Sequence, residues 1–424
     1  MHIVIIGAGA AGCFAAIEIK RNRPEWQVTV AERGRKALAK VAVTGGGRCN
    51  LTNSFAQVRS IASVYPRGER LMKRLFKTFD QKKAMEWFER EGVRLVTQDD
   101  ECVFPLSQDA MEIVRTLLYR MKGLGVRLLT GCRVTDVSHS DGEPFTVVCA
   151  DGMQLQADRI LVTTGGSPLP GGLDFLRSFH LDTVFPVPSL FSFQIDHPDL
   201  TRLMGTVVDT VTAGLAGTRL KATGTLLVTH WGVSGPAILR LSSYAARHLH
   251  DTSYQATLCI NWTGGGNETE TMEMLRRLAA DNPQRQVGTI RPEALNTRLW
   301  QYLVRRAGLP SDLRWRDMNQ KQYNRMVSVL TNDTYPIANR CRHKEEFVTC
   351  GGVALGNVDP ATLECRQHPG LYFAGEVLDV DAVTGGFNLQ AAWTMAYVAA
   401  QAITLREGSG RQTEEKKDEG KETT

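Results

Sequence analysis

Nine cysteines are spread through the chain, at 13, 49, 102, 132, 149, 259, 341, 350 and 365, and no two form a C-x-x-C pair. That absence excludes a zinc ribbon and a thioredoxin-like dithiol at their usual spacings. Cys341 with His343 is too small a cluster for a metal, so no metal site is expected. The loose, odd-numbered set fits a reducing compartment in which thiols stay free. An apolar run of membrane-spanning length is also lacking. The strongest candidate, residues 2–17, has no Lys or Arg ahead of it, and Glu18 and Lys20 cut it short. High charge is missing as well. A net +5 over 424 residues neither demands nor excludes an anionic partner. With 42% apolar and 22% charged residues and no internal repeat, the chain reads as a cytoplasmic globular protein of two or three domains without a membrane partner.

What is present begins with a β-branched run, residues 2–6, which reads as a buried parallel strand. A glycine turn, a small-residue helix from Ala10 towards Arg21 and a second strand at 27–31 complete a βαβ unit. Helices are expected at 68–79, 81–91 and 107–122. Strands are expected at 126–130, 133–139, 145–150, 153–156 and 159–162, with tight turns at Asp141-Gly142 and Asp151-Gly152. Residues 163–188 read as an extended loop holding a short helix, and 189–265 as strands, including 226–229 and 255–262. Residues 268–330 turn helical: Asn267 and Glu270 suit a capping box, and Leu295, Leu299 and Leu303 share one face. Strand character returns at 346–349 and 370–374, followed by a small-residue helix over 386–404. Residues 407–424 carry no large apolar side chain and read as a disordered tail.

Gly7-Ala8-Gly9-Ala10-Ala11-Gly12 is a G-x-G-x-x-G that follows a strand and opens a helix. Gly7 permits the turn, Gly9 lets backbone approach a pyrophosphate, and Gly12 allows close packing of helix on strand. The helix N-terminus then offers free N–H groups to phosphates. Glu32 ends the second strand twenty residues after Gly12, where a carboxylate binds ribose hydroxyls. This much does not separate FAD from NAD. Two later segments do: a strand running into Thr163-Thr164-Gly165-Gly166, and a strand ending in Gly375-Glu376 before Gly385-Gly386-Phe387-Asn388 at a helix start. In FAD-binding relatives of this fold the Gly-acid pair holds the ribityl and phosphate region. The helix start faces the flavin pyrimidine there, favouring negative charge on the ring. No second G-x-G-x-x-G followed by an acid lies downstream, which argues against the two-dinucleotide disulfide reductases.

Three segments carry a family resemblance. Thr44-Gly45-Gly46-Gly47-Arg48-Cys49-Asn50-Leu51-Thr52-Asn53 resembles the signature of the BaiN-like, aminoacetone-oxidase-type FAD-binding proteins of bacteria. Leu226-Leu227-Val228-Thr229-His230-Trp231-Gly232-Val233-Ser234-Gly235-Pro236 resembles their second signature. The segments at 369–380 and 385–390 resemble their third. The resemblance runs over about residues 1–404. It implies an α/β protein whose Rossmann-like, glutathione-reductase-type FAD domain is interrupted by a strand-rich domain carrying a helical insert. The expected bounds are 1–188 with 347–406 for the FAD domain, 189–267 with 331–346 for a barrel-like domain, and 268–330 for the insert. Cofactor contacts implied beyond the glycine motif and Glu32 are Arg33, Gly46, Arg48, Val134, Thr164, Gly165, Gly375, Glu376, Asp379, Phe387 and Asn388. One departure stands out: residues 167–175 are shorter and more proline-bearing than the family's glycine-rich stretch there.

The candidate catalytic residues are His230, Arg48 and Asn50. His230 ends a strand beside Trp231 and is either a proton donor, since histidine titrates near neutrality, or a structural strand end. Arg48 either neutralises a phosphate, or polarises a substrate oxygen, or pairs with a nearby carboxylate. Asn50 either bonds flavin or substrate or caps its own turn. Cys49 lacks a partner for dithiol chemistry. The leading expectation is a reductase in which NAD(P)H, as a transient donor, supplies hydride through FAD to an electron-poor carbon–carbon double bond of a small molecule. Amine oxidation with oxygen, reduction of uridine in ribosomal RNA, and a non-catalytic redox sensor are the alternatives. Residues 268–346 hold fourteen Lys or Arg against ten Asp or Glu, a mild excess that fits RNA or a plain solvated surface.

Overall fold

A computed structural model describes residues 1–167, 171–341 and 348–405. The expected tail at 407–424 and His343 lie outside the described residues. The chain divides into two compact units, Met1–Pro186 with Val348–Thr424, and Val187–Phe347.

The first unit is built on β1 (His2–Ile6), α1 (Ala10–Asn22) and β2 (Gln27–Glu32). Five parallel strands lie in the order Leu371–Phe373, Arg159–Val162, β1, β2, Arg127–Thr130. The first and last thirds of the chain therefore share one sheet. Ile3, Val4 and Ile5 are fully buried, as a strand covered on both faces requires. α1 is small and apolar enough to be buried from Ala11 to Ile19, and it packs against the C-terminal helix Phe387–Leu405. A three-stranded antiparallel meander, Val134–Ser138, Phe145–Cys149 and Gln154–Ala157, stands beside the sheet. Gly142 and Gly152 take positive φ in its two turns.

α2 (Ala39–Gly47) enters the glycine segment 44–50, where no helix was expected. It breaks at Thr44, because Thr44 is extended and Gly45 and Gly46 are left-handed. β3 (Thr52–Asn53) then pairs with Cys102–Pro105. The loop expected over 163–188 contains a strand, Thr183–Ser189, after the short helical turn Asp174–Phe179.

Among the described residues the second unit holds a sheet of seven antiparallel strands, ordered Asp333–Ile337, Ala256–Asn261, Val207–Leu215, Lys221–Thr229, Gly232–Ser234, Phe193–Gln194, Asn339–Arg340. The two end strands are separated in sequence by Ala338 alone, so the sheet bends back on itself. Residues 236–251, read as strand, are instead the helices Pro236–Tyr244 and Ala246–Asp251. Pro236 in the first turn and the run of Ala, Leu and Arg favour helix there. Glu268–Asp281 starts with the Asn267–Glu270 capping box. Helix residues Leu275, Leu299, Leu303 and Met326 join one core with the strand residues Phe193, Val208 and Leu226, so helices and sheet here share a single interior.

Candidate functional site

The glycine turn after β1 is fixed by close contacts. Gly7 has φ 109°, and its N–H donates to the Ala31 carbonyl at 2.7 Å. A Cβ on Gly12 would stand 2.0 Å from the Gly7 carbonyl oxygen, and one on Gly7 2.5 Å from that of Thr163. Gly9 is the opposite: a Cβ there would meet nothing within 4 Å, so its face opens onto free space at the start of α1. Ala10 and Ala11 form the first turn, whose N–H groups have no intrahelical partner. Gly375, with φ 85°, closes on this turn, since its Cβ would lie 3.3 Å from Ala11 Cβ.

Glu32 holds the same turn from the side. Its Oε2 accepts the Ala8 N–H at 2.8 Å and its Oε1 the Gly34 N–H at 2.7 Å. A carboxylate has about four acceptor positions, so two remain for ribose hydroxyls. Arg33 is exposed next to it. Val134 packs with Ala31, Cys132 and Cys149 in a small apolar cluster at the end of β2. Thr164 Oγ1 is buried and has no hydrogen-bond partner among the described residues. Gly165 follows with φ 71°. An open glycine face, free helix N–H groups and an orphaned hydroxyl around one carboxylate fit the ADP half of FAD. Glu376 is engaged within the protein: Oε1 accepts the Thr349 N–H at 2.6 Å, and Oε2 lies 3.6 Å from Lys40 Nζ.

A second cluster joins residues 44–53 to 382–390. Gly45, Gly46, Gly47 and Cys49 all have positive φ, and the Cys49 N–H donates to Thr44 O at 3.0 Å. The Arg48 guanidinium is exposed, 4.4 Å from the Phe104 ring centroid, with longer bonds to Gly45 O (3.2 Å) and Gln108 Oε1 (3.4 Å). Burial pushes the Cys49 thiol up to about 12, so it stays neutral. With its amide turned to suit both neighbours, Asn50 donates to Thr52 O at 3.0 Å and accepts the Gly386 N–H at 3.2 Å. Asn388 clamps Ala382, accepting its N–H and donating to its carbonyl, both at 2.9 Å. Phe387 is buried edge-on to Phe55, and Tyr65 donates to its carbonyl at 2.8 Å. Asp379 is half-buried, and its N–H donates to Val353 O at 3.0 Å.

Sequence reasoning passed over three features here. Thr52 and Gln390 stood inside quoted motifs without a role. Arg67, which pairs with the buried Asp381 through both Nε and Nη2, gave no local signal at all. His230 belongs to the other unit, where it is exposed on the turn after Lys221–Thr229 and stands edge-on to Trp231 at 4.4 Å. Among the described residues no group of three or more His, Cys, Asp or Glu is placed to hold a metal, and no helix is long and apolar enough to cross a membrane.

Known proteins match most of this chain. The 3-dehydro-bile acid delta(4,6)-reductase of Clostridium scindens is 28% identical over 419 residues, 96% of this chain and 99% of its own. The ribosomal RNA dihydrouridine synthase of Escherichia coli is 28% identical over 428 residues, 96% of this chain and 98% of its own. Among solved structures, the 3-ketosteroid-delta4-(5alpha)-dehydrogenase of Rhodococcus jostii RHA1 aligns with a TM-score of 0.49 at 14% identity, covering 95% of this chain and 96% of that one. The HI0933-like protein Rossmann domain matches residues 1–402. The chain belongs to that family and is an FAD-dependent oxidoreductase.

Proposed function

We propose that the enzyme saturates an electron-poor carbon–carbon double bond of a small molecule, with NAD(P)H as electron donor. One observation carries this reading. Two full-length relatives are named for different substrates, yet a bile acid delta(4,6)-reductase and a dihydrouridine synthase both saturate such a bond. In the net reaction NAD(P)H gives a hydride to one carbon and a proton adds to the other, leaving NAD(P)+ and a single bond.

FAD, when bound, supplies the two-electron carrier between donor and acceptor. The chain's own residues bind and place the reactants. Gly7, Gly9 and Gly12 bring the start of α1 against the diphosphate, and Glu32 takes the ribose hydroxyls with its two spare acceptor positions. Thr164 Oγ1 gains the partner it lacks. Arg48, which among the described residues is held by two longer bonds and a ring face, can swing onto a substrate oxygen. His230, exposed on its turn, is assigned as the proton donor.

Anaerobic mixing of the holoenzyme with NADH or NADPH, followed by a conjugated enone, tests this. The flavin colour is expected to bleach with one nicotinamide and return with the enone. Bleaching by amines alone, with no response to either nicotinamide, overturns it. In His230→Gln, the return step is expected to slow about a hundredfold while bleaching is unchanged. The second reading is uridine in ribosomal RNA, favoured because relatives from Escherichia coli and Haemophilus influenzae both carry that name. Colour that returns with a ribosomal RNA fragment, and not with any enone, selects it.

A further inference from the structure

Thr52, Asn53, Gln390 and Thr394, each at most 4% exposed, are buried polar side chains of the first unit outside the ADP cluster. Three of them, Thr52, Gln390 and Thr394, form a continuous chain. Thr52 Oγ1 donates to Gln390 Oε1 at 2.5 Å, Gln390 Nε2 to Thr394 Oγ1 at 3.0 Å, and Thr394 Oγ1 to Phe79 O at 2.9 Å. Asn53 Nδ2 donates to Gly385 O at 3.1 Å while its Oδ1 accepts the Phe55 N–H at 2.9 Å.

Apolar side chains would fill this space without the desolvation cost that each buried polar group carries. What the polar chain adds is a single fixed geometry. It is fixed at one place, the entry to the helix Phe387–Leu405. Gln390 closes that helix's first hydrogen-bonded turn, its N–H donating to Gly386 O at 3.0 Å. Gly386 is pressed onto the same Thr52, since a Cβ on Gly386 would stand 2.2 Å from the Thr52 carbonyl oxygen. The N–H groups that open the helix therefore point where Thr52, Asn53 and Gln390 hold them.

We propose that Thr52, Asn53 and Gln390 are positioning residues for the flavin. By fixing the Gly385–Gly386 peptide and the first helical turn, they set how strongly this helix N-terminus favours negative charge on the ring. The inference rests on the placement of Phe387 and Asn388 at the flavin and is independent of the substrate.

Redox titration of the purified holoenzyme against a dye of known potential, with no substrate present, tests it. Thr52→Val keeps the shape and removes the donor; Thr52→Ser keeps the donor. Thr52→Val is expected to disfavour two-electron reduction about tenfold, about 30 mV, and Thr52→Ser to restore the wild-type value. A Thr52→Val protein with unchanged potential and visible spectrum overturns the proposal, even if it melts earlier. If that variant loses its flavin, Thr394→Val at the far end of the chain is titrated, and an unchanged potential there overturns it equally. Asn388→Ala, which opens the Ala382 clamp at the helix start, separates the two assumptions. If it moves the potential and Thr52→Val does not, the positioning role alone fails. If neither moves it, the flavin's placement at this helix fails as well.

Discussion

The two halves of the proposed cofactor site are put together in different ways. Apart from Thr163, the turn between β1 and β2 is assembled within about thirty residues, by close backbone packing and one carboxylate: Gly7 against Thr163, Gly12 against Gly7, Ala8 and Gly34 on Glu32. The second half joins segments more than three hundred residues apart, and it does so with side-chain amides and hydroxyls, Asn53 to Gly385 and Thr52 to Gln390. The first half is therefore broken by adding a methyl group. The second is tight at Gly386 too, and it is broken as well by removing a hydrogen bond that leaves the shape unchanged.

The comparison is tested most severely at two glycines of one motif. In Gly12→Ala the new Cβ would stand 2.0 Å from the Gly7 carbonyl, so α1 must shift against β1. A loss of about 3 kcal/mol in unfolding free energy is expected, together with loss of bound flavin. Gly9→Ala places its Cβ in open space, so folding should hold while FAD affinity falls. Denaturant unfolding and flavin titration on both variants decide it. If Gly9→Ala binds FAD as wild type does, the diphosphate does not lie over Gly9.

Glu32→Ala comes next. It removes an acceptor from two backbone N–H groups of the protein and from the ribose, so affinity should fall by about 2 kcal/mol, roughly thirtyfold. Glu32→Gln keeps one acceptor oxygen and should lie between. Equal affinity in wild type and Glu32→Ala removes the ribose role and leaves Glu32 as a clamp on the turn alone. The matching break in the other half is Thr52→Val, where the expected change is in potential rather than in affinity.

The same contrast explains what could be read from the amino-acid order. β1, α1 and β2 were legible because a β-branched run, three spaced glycines and an acid are local signals with local causes. The strand Arg159–Val162 and the helix Glu268–Asp281 with its capping box were legible for the same reason. The residues around 236–251 were misread, because a short apolar stretch in strand-like surroundings hides a helix opened by Pro236. The break in α2 was hidden for a different reason: three successive glycines announce freedom without saying which conformation is taken. The role of Gln390 was hidden most thoroughly. A glutamine on a small-residue helix has no signature until the fold brings Thr52 to it from 338 positions away.

The smallest expected effect lies at the base of the first half, and it separates the two halves by pH. His2 opens β1, and its Nε2 meets Thr29 Oγ1 on β2 at 2.9 Å. Burial lowers its pKa below the ordinary 6.5, and the Gln156 backbone and the Asp158 carboxylate offset this only in part. Between the lowered value and 6.5 the unfolded chain thus binds more protons than the folded one. Stability then rises with pH through that window, is complete above 6.5, and is lost as the pH falls. His2→Gln keeps a hydrogen-bonding side chain that does not titrate. Its melting temperature should fall less than that of wild type between pH 7.5 and pH 5, by about a degree, with the difference vanishing above pH 7. If wild type and His2→Gln lose stability in parallel on acidification, the proton is taken up elsewhere and the β1–β2 edge is not the acid-sensitive part of the site.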